Sequence, residues 1–229
     1  MSEERFSVVL PVHNQADHLD ALVTEYLAAL ERALLPVELL LVPNACRDDT
    51  VAVARGLAAR HPAVRVVESE LGGWGRAVRL GLAAATGTTL CYTNSARTTP
   101  EDLVLLLLYA RAHPNTVVKA NRKVREHWTR RLGSLLYNLE CRALFDLACW
   151  DVNGTPKVFP RTMGALLAVT RDDDVIDAEF AAVCRREGYR MLEVPIFSSR
   201  RHGGRSTTTL GSAMHLYLGA YRLWRERRP

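Results

Sequence analysis

The chain has no long hydrophobic run. Its longest, residues 103–110, falls well short of the roughly 20 apolar residues that a membrane-spanning helix needs. It has no C-x-x-C pair. Its five cysteines (Cys46, Cys91, Cys141, Cys149 and Cys184) are scattered and odd in number, which argues against a disulfide framework and predicts free thiols in a reducing compartment. No extended Lys/Arg block, zinc-ligand spacing or RNA-binding motif appears, so no nucleic-acid partner is expected. The first residues are charged rather than apolar, which predicts no signal peptide and a cytoplasmic location. No internal repeat or low-complexity tract interrupts the chain. Acidic residues are missing from one further place, residues 90–99, where L-C-Y-T-N-S-A-R-T-T carries an apolar run into small polar residues.

What is present suits one globular domain. At 229 residues, 48% of them hydrophobic and 24% charged, the chain is long enough to bury a large core. A formal net charge of +5 favours anionic partners such as a nucleotide, a phosphate or an acidic membrane surface. Short apolar runs at 6–10, 37–42, 64–67 and 88–92 alternate with helical spacing over 17–32, 51–61 and 72–85. A further helix is predicted from Pro100, with Glu101 and Asp102 in its first turn, where acidic side chains suit the helix dipole. Such alternation predicts crossover connections and a mostly parallel sheet, an α/β fold whose ligands gather at the carboxyl ends of the strands. The second half reads as a strand at 115–120, a basic loop at 122–131 and a helix at 132–147. A turn and strand at 151–159, a helix at 175–186, a strand at 190–196, a basic loop at 200–205 and a closing helix to 228 follow.

Five collinear segments carry a resemblance. V-V-L-P-V-H-N-Q from Val8 is similar to V-V-I-P-x-Y-N-E, and L-L-L-V-P-N-A-C-R-D-D-T from Leu39 to I-I-V-V-D-D-G-S-x-D-x-T. G-W-G-R-A-V-R-L-G-L from Gly73 is similar to a G-x-G-x-A-x-x-x-G helix start, and D-V-N-G-T-P-K-V-F from Asp151 to D-x-x-S-G-F-K-x-F. E-V-P-I-F-S-S-R-R-H-G-G-R-S from Glu193 is similar to E-V-P-V-x-x-x-x-R-x-x-G-x-S. Together they resemble the family-2 glycosyltransferases of the GT-A fold, and within them the dolichol-phosphate mannose synthase and polyprenyl-phosphate glycosyltransferase group.

The resemblance implies a Rossmann-like GT-A domain at residues 1–209, with a nucleotide-binding half at 1–113 and an acceptor half at 114–209. A C-terminal amphipathic helix at 210–229 completes the chain. It implies a nucleoside-diphosphate sugar bound by Pro11, His13 and Gln15, with Gln15 in place of the family's Glu, and by Asn44 and Asp48. Asp48 reads equally well as a turn or helix cap before Thr50. Gly73 permits close backbone approach at a helix start, and Arg76, Asn94, Ser95, Arg201 and Arg205 complete the donor set. Gly203 and Gly204 would hinge the loop carrying the last two.

In the family the fourth strand ends in Asp-x-Asp, whose carboxylates hold a divalent metal on the donor diphosphate. The corresponding residues here are Thr93 and Ser95 or Asn94 and Ala96, and neither pair contains an acid. Magnesium or manganese would therefore lack its usual carboxylate ligands. Three explanations stand open: arginines (Arg76, Arg97, Arg201 and Arg205) replace the metal, other groups such as Asp48 hold it, or the chain binds nucleotide-sugar without turnover. On the acceptor side, Arg122, Arg130, Ser134 and Lys157 match family positions, with Arg130, Ser134 and Asn138 spaced by four on one helix face. A polyprenyl phosphate is the acceptor implied, with inversion at the sugar. The alternative is a hydroxyl of a small molecule or natural-product intermediate, which needs a general base, and Asp177 and Glu179 are the candidates. Aromatics beside arginines in the closing helix suit a peripheral contact with a membrane or, equally, packing on the domain.

Overall fold

The computed structural model describes residues 4–123, 128–197 and 210–226. The apolar runs become strands β1 (Phe6–Val12), β2 (Val37–Pro43), β3 (Val64–Val66) and β4 (Thr89–Tyr92). Between and after them lie α1 (Leu19–Arg32), α2 (Thr50–Arg60), α3 (Trp74–Ala84) and α4 (Pro100–Ala112). α4 starts where its sequence predicts: Thr99 caps it by accepting from the Asp102 N–H at 3.1 Å, and Pro100 occupies the first turn, where a missing N–H costs nothing. The second half adds β5 (Val117–Arg122), α5 (Trp128–Phe145), β6 (Lys157–Pro160), α6 (Ile176–Arg186), β7 (Met191–Ile196) and α7 (Leu210–Glu226). α5 begins four residues before the helix its periodicity predicts, so Arg130 and Arg131 fall in its first turn.

The strands form one seven-stranded sheet in the order β3-β2-β1-β4-β6-β5-β7. All pairings are parallel except those of β6, which runs against both β4 and β5. The chain steps outward from β1 to β2 and β3, then returns to lay β4 on the other side of β1. The crevice between the ends of β1 and β4 is therefore the topological switch point, where a ligand meets the fewest backbone obstructions. Because β6 is antiparallel, its first residue, Lys157, opposite Tyr92, also lies at this edge.

Both sheet faces are covered, so successive strand residues enter different cores. Val8, Leu10, Leu39, Leu41 and Cys91 pack with α1 and α4 on one face. Val9, Leu40, Val42, Leu90 and Tyr92 pack with α3 and α6 on the other. A third cluster joins α5, α6 and α7 through Tyr137, Cys141, Ala178, Ala220 and Leu223.

Candidate functional site

The donor-side residues gather at the ends of β1, β2 and β4. Pro11 is buried within β1, and the exposed His13 just beyond it places Nδ1 2.7 Å from the Asn44 carbonyl oxygen. Asn44 is itself buried. Its side-chain amide donates to the carbonyls of Val12 (2.9 Å) and Val42 (3.3 Å), and its oxygen accepts from the Gly73 N–H at 3.4 Å. That amide joins β1, β2 and the start of α3, a structural task beside any contact with a base. Asp48 holds the turn that leads into α2. One carboxylate oxygen accepts from the Thr50 N–H and hydroxyl (3.1 and 2.5 Å), the other from the Ala16 N–H (3.1 Å). Burial acts to raise its pKa, and these hydrogen bonds outweigh that and hold it below the usual aspartate value.

At the switch point the tip of β4 is closed by neutral hydrogen bonds. Thr93 is fully buried with its hydroxyl 2.6 Å from that of Thr98. The buried hydroxyl of Ser95 reaches the Pro11 carbonyl (3.1 Å) and the Gln15 side-chain oxygen (2.8 Å). Gln15 is buried too, and its N–H donates to the Thr50 hydroxyl at 2.8 Å. Asn94, half-buried, turns its side-chain oxygen back onto the Ala96 N–H at 3.0 Å. These residues do not fit a divalent cation: the hydroxyls of Thr93 and Ser95 are already hydrogen-bonded, and Asp48, the carboxylate beside Gln15, is engaged with Thr50 and Ala16. Among the described residues no three His, Cys, Asp or Glu side chains come together as a metal-holding group.

The start of α3 is closely packed against the chain itself. A Cβ on Gly73 would lie 2.4 Å from the Asp172 carbonyl oxygen, and one on Gly75 2.3 Å from that of Arg171. Gly73 also has φ of 137°, which side chains avoid. The close approach at these glycines is made by the backbone of residues 171–173 of the chain itself. The Arg76 N–H donates to the Asp172 carbonyl at 3.0 Å, and the guanidinium groups of Arg76 and Arg79 each lie 2.5 Å from the Asp172 carboxylate. Arg76 is thus held by a carboxylate 96 residues away. An open cleft of about 370 Å³ lies beside this junction, lined by Gly72, Gly73 and residues 170–173. Asp172 was not singled out by sequence, and nothing in R-D-D-D distinguishes it from its neighbours.

The acceptor half is built on buried charge. Lys119 is fully buried, 3.0 Å from Glu193, and its ammonium also meets the Asp151 carbonyl. Arg122 grips the Asp151 carboxylate with two bonds of 2.8 Å, and the Arg122 N–H adds a third of 3.0 Å. Gly154 lies so close to β5 that a Cβ there would stand 2.0 Å from the Ala120 carbonyl oxygen. Lys157, also fully buried, pairs with Asp177, which accepts a further bond of 2.9 Å from the Tyr92 hydroxyl. Burial draws the Lys157 pKa below its ordinary value, against the opposing pull of Asp177.

Both candidate bases are therefore committed elsewhere. Asp177 is buried against Lys157, and Glu179, 1% exposed, accepts from the Thr170 N–H and hydroxyl and the Arg171 N–H at 2.8–3.0 Å. Glu179 anchors the loop that carries Asp172. Lys157 has no open face for an acceptor, because its ammonium lies under Tyr92 and Phe180. Asn138 is likewise buried, accepting from the Val152 N–H at 3.0 Å. Ser134 remains half-buried on α5. The side chain of Arg130, and Arg201 and Arg205 altogether, lie outside the described residues. Lys119 and Glu193 were legible in principle, as charges interrupting the apolar strands V-V-K-A and L-E-V-P.

The sequence profile of glycosyl transferase family 2 matches residues 7–159. Over 221 residues, covering 94% of this chain and 66% of the relative, the sequence is 25% identical to the undecaprenyl-phosphate 4-deoxy-4-formamido-L-arabinose transferase of Sodalis glossinidius (strain morsitans). Over 97 residues, covering 39% of this chain and 30% of the relative, it is 35% identical to the dolichyl-phosphate beta-glucosyltransferase of Drosophila melanogaster. The chain thus spans less than two thirds of the length of either curated relative. The fold is that of glucosyl-3-phosphoglycerate synthase from Mycobacterium tuberculosis in complex with Mn2+, UDP and phosphoglyceric acid. The TM-score is 0.74 at 20% identity, covering 97% of this chain and 79% of that one. The same synthase has also been solved with Mg2+ and UDP, matching with a TM-score of 0.74 at 18% identity and covering 100% and 82%.

Proposed function

The chain belongs to glycosyl transferase family 2, and from that premise we propose that it moves a sugar, with inversion, from a nucleoside-diphosphate sugar to a polyprenyl phosphate. One observation carries the choice of acceptor: Asp177 and Glu179, the carboxylates at the start of α6, are both committed to other groups. A hydroxyl acceptor needs a base to take its proton as it attacks. A phosphate, whose second pKa lies near 6, is largely ionised at neutral pH and attacks without one. The relationship to an undecaprenyl-phosphate transferase along 94% of the chain supports the same acceptor.

On this reading the donor lies over the ends of β1, β2 and β4, with Pro11, His13, Gln15, Asn44, Asp48, Asn94 and Ser95 shaping the pocket. Binding is independent of metal. The diphosphate charge is met by arginines: Arg76, on exchange of Asp172 for phosphate, and Arg201 and Arg205 from the basic loop. Preorganised cations at a transferring phosphate stabilise the leaving group as a metal would. Arg122, Arg130 and Ser134 face the lipid phosphate, and the reaction takes place on the cytoplasmic side.

A second reading, transfer to a hydroxyl, is favoured by Asp174. It makes no ion pair among the described residues. Crowding by protein, then the charges of Asp177 and Asp173, push its pKa up to about 6, while the residue keeps an open solvent face. A carboxylate so placed serves as a general base near neutrality.

Titration of UDP, GDP and dTDP, each with manganese and again with EDTA, tests the donor site. Selective binding that survives chelation is expected, and loss of binding with EDTA would refute metal independence. Transfer from the nucleotide-sugar that binds, to undecaprenyl phosphate and to hydroxyl acceptors in parallel, tests the acceptor. Arg130→Ala should weaken use of the lipid phosphate more than donor binding, and equal loss of both would remove Arg130 from the acceptor site. Nucleotide binding without transfer to any acceptor would leave a catalytically inactive, nucleotide-sugar-binding homologue.

A further inference from the structure

α4 is apolar on two sides. Leu103, Leu106, Leu107 and Ala110 bury one face in the core, and the opposite face carries leucines as well. Between residues 101 and 113 the exposed positions are Glu101, Leu105, Leu108, Tyr109, Ala112 and His113. Leu105 is 37% exposed, and Leu108 and Tyr109 are 40% exposed. Positions 101, 105, 108 and 112 follow at intervals of four, three and four, the spacing with which one helix lays a narrow seam against another.

The seam is self-complementary. A two-fold axis midway between residues 106 and 107 sets a second α4 antiparallel to the first. Leu105 then meets the partner's Leu108, and Leu108 meets the partner's Leu105. Glu101 meets the partner's Ala112, one residue before His113, so a carboxylate and an imidazole come together at each end. The same alignment places the positive N-terminal end of each helix dipole beside the negative C-terminal end of the other. The N-terminal end of α4 also opens into a groove of about 400 Å³ against α1, lined by Glu25, Ala28, Arg32, Thr99, Pro100 and Glu101. Opposite that groove, in this pairing, lie the exposed His113 and Pro114 where the chain leaves the partner's helix.

We propose that α4 is a contact face between two copies of this chain, paired antiparallel through Leu105 and Leu108 across a two-fold axis. Charge selects a second copy over a lipid surface. The groove beside the seam holds two carboxylates to one guanidinium, so anionic headgroups gain nothing there. Arg111, at the other end, is held by Glu4 at 2.8 Å and lies over the Phe6 ring. A symmetric pairing instead gives the acidic end of each helix the C-terminal end of the other. Thirteen residues of helix, about 20 Å long, make a small contact, so the dimer is reversible and forms at micromolar concentration. The inference stands on the exposed seam and does not require the proposed transfer.

Sedimentation velocity of the chain from about 1 to 200 µM tests it. Wild type should pass from monomer to dimer across that range. Leu105→Lys and Leu108→Glu should each raise the dissociation constant about tenfold or more, because each sets a charge against leucine. Mixing the two variants should restore dimers. The new lysine then faces the new glutamate, while Leu108 of the first faces Leu105 of the second. Both positions are exposed, and recovery on mixing would itself show that both variants are folded. A wild type that stays monomeric, or a dimer unmoved by either variant, would overturn the proposal. Dimers weakened in both variants and not recovered on mixing would refute the antiparallel pairing. A monomer that floats with phosphatidylglycerol vesicles, and no longer does so as Leu108→Glu, would give the face to a lipid instead. A failed transfer assay would leave the sedimentation result untouched.

Discussion

The two sides of the carboxyl edge are held together by different physics. On the donor side, the Thr93–Thr98 and Ser95–Gln15 contacts and the bonds of Asn44 are between neutral groups. On the acceptor side, Lys119–Glu193, Arg122–Asp151 and Lys157–Asp177 place full charges in the interior. A neutral hydrogen bond contributes about 1 kcal/mol net, and its loss is modest unless a buried partner is stranded. A buried ion pair contributes little over an apolar replacement, yet removing one partner strands the other and costs about 3–5 kcal/mol. The donor edge is therefore tolerant, and the acceptor edge is all-or-none.

The largest expected effect tests that contrast directly. Lys157→Met leaves Asp177 buried without its cation, and should lower unfolding free energy by about 3–5 kcal/mol in urea titration. Adding Asp177→Leu should recover much of the loss; a double variant as unstable as the single would show that the pair itself stabilises the fold. Next comes Glu38, a buried charge of the donor half, on β2. Burial acts to raise its pKa, but hydrogen bonds from the Ser7 hydroxyl, the Thr86 N–H and hydroxyl, and Arg65 outweigh that and hold it at about 2, from an ordinary 4.5. Because the folded value lies below the unfolded one, its contribution is complete above about pH 4.5 and disappears as pH falls toward 2. Melting curves across that window should show a loss of about 2–3 kcal/mol that is smaller in Glu38→Gln.

A smaller effect is expected at the tip of β4. Ser95→Ala removes the bonds to Pro11 and Gln15, and should cost about 1–2 kcal/mol by denaturant titration, with no dependence on manganese or EDTA. A manganese-dependent loss would break the contrast by revealing an ion at the donor edge. Smallest of all is Asp172→Asn. Its pairs with Arg76 and Arg79 are 34–40% exposed, so stability should fall by less than about 1 kcal/mol. Released from the carboxylate, both arginines should bind a nucleoside diphosphate more tightly in calorimetry; weaker binding would make Asp172 part of the donor pocket.

How far the sequence reaches differs between these regions. The helix start at Pro100 was legible because a cap is local, made by Thr99 and Asp102 within one turn. Loss of carboxylates from the tip of β4 was legible for the same reason. The role of Glu179 was not, because its acceptor oxygens meet Thr170 and Arg171, and only the path of the loop brings those N–H groups there. The exposure of Leu132, Leu135, Leu136 and Leu139 along α5 was not legible either, since an apolar repeat looks the same whether its face is buried or open.

By itself the sequence determined the alternation of strands and helices, the parallel core and the family to which the chain belongs. Those follow from short-range periodicity and from residues close together along the chain. Only the tertiary structure decided that Lys157 neutralises Asp177, that Asp172 holds Arg76 across 96 residues, and which face of α5 meets solvent. Charge pairing and burial are set by distances through space. The antiparallel insertion of β6 and the packing of α7 on α5 set those distances, and no local pattern encodes them.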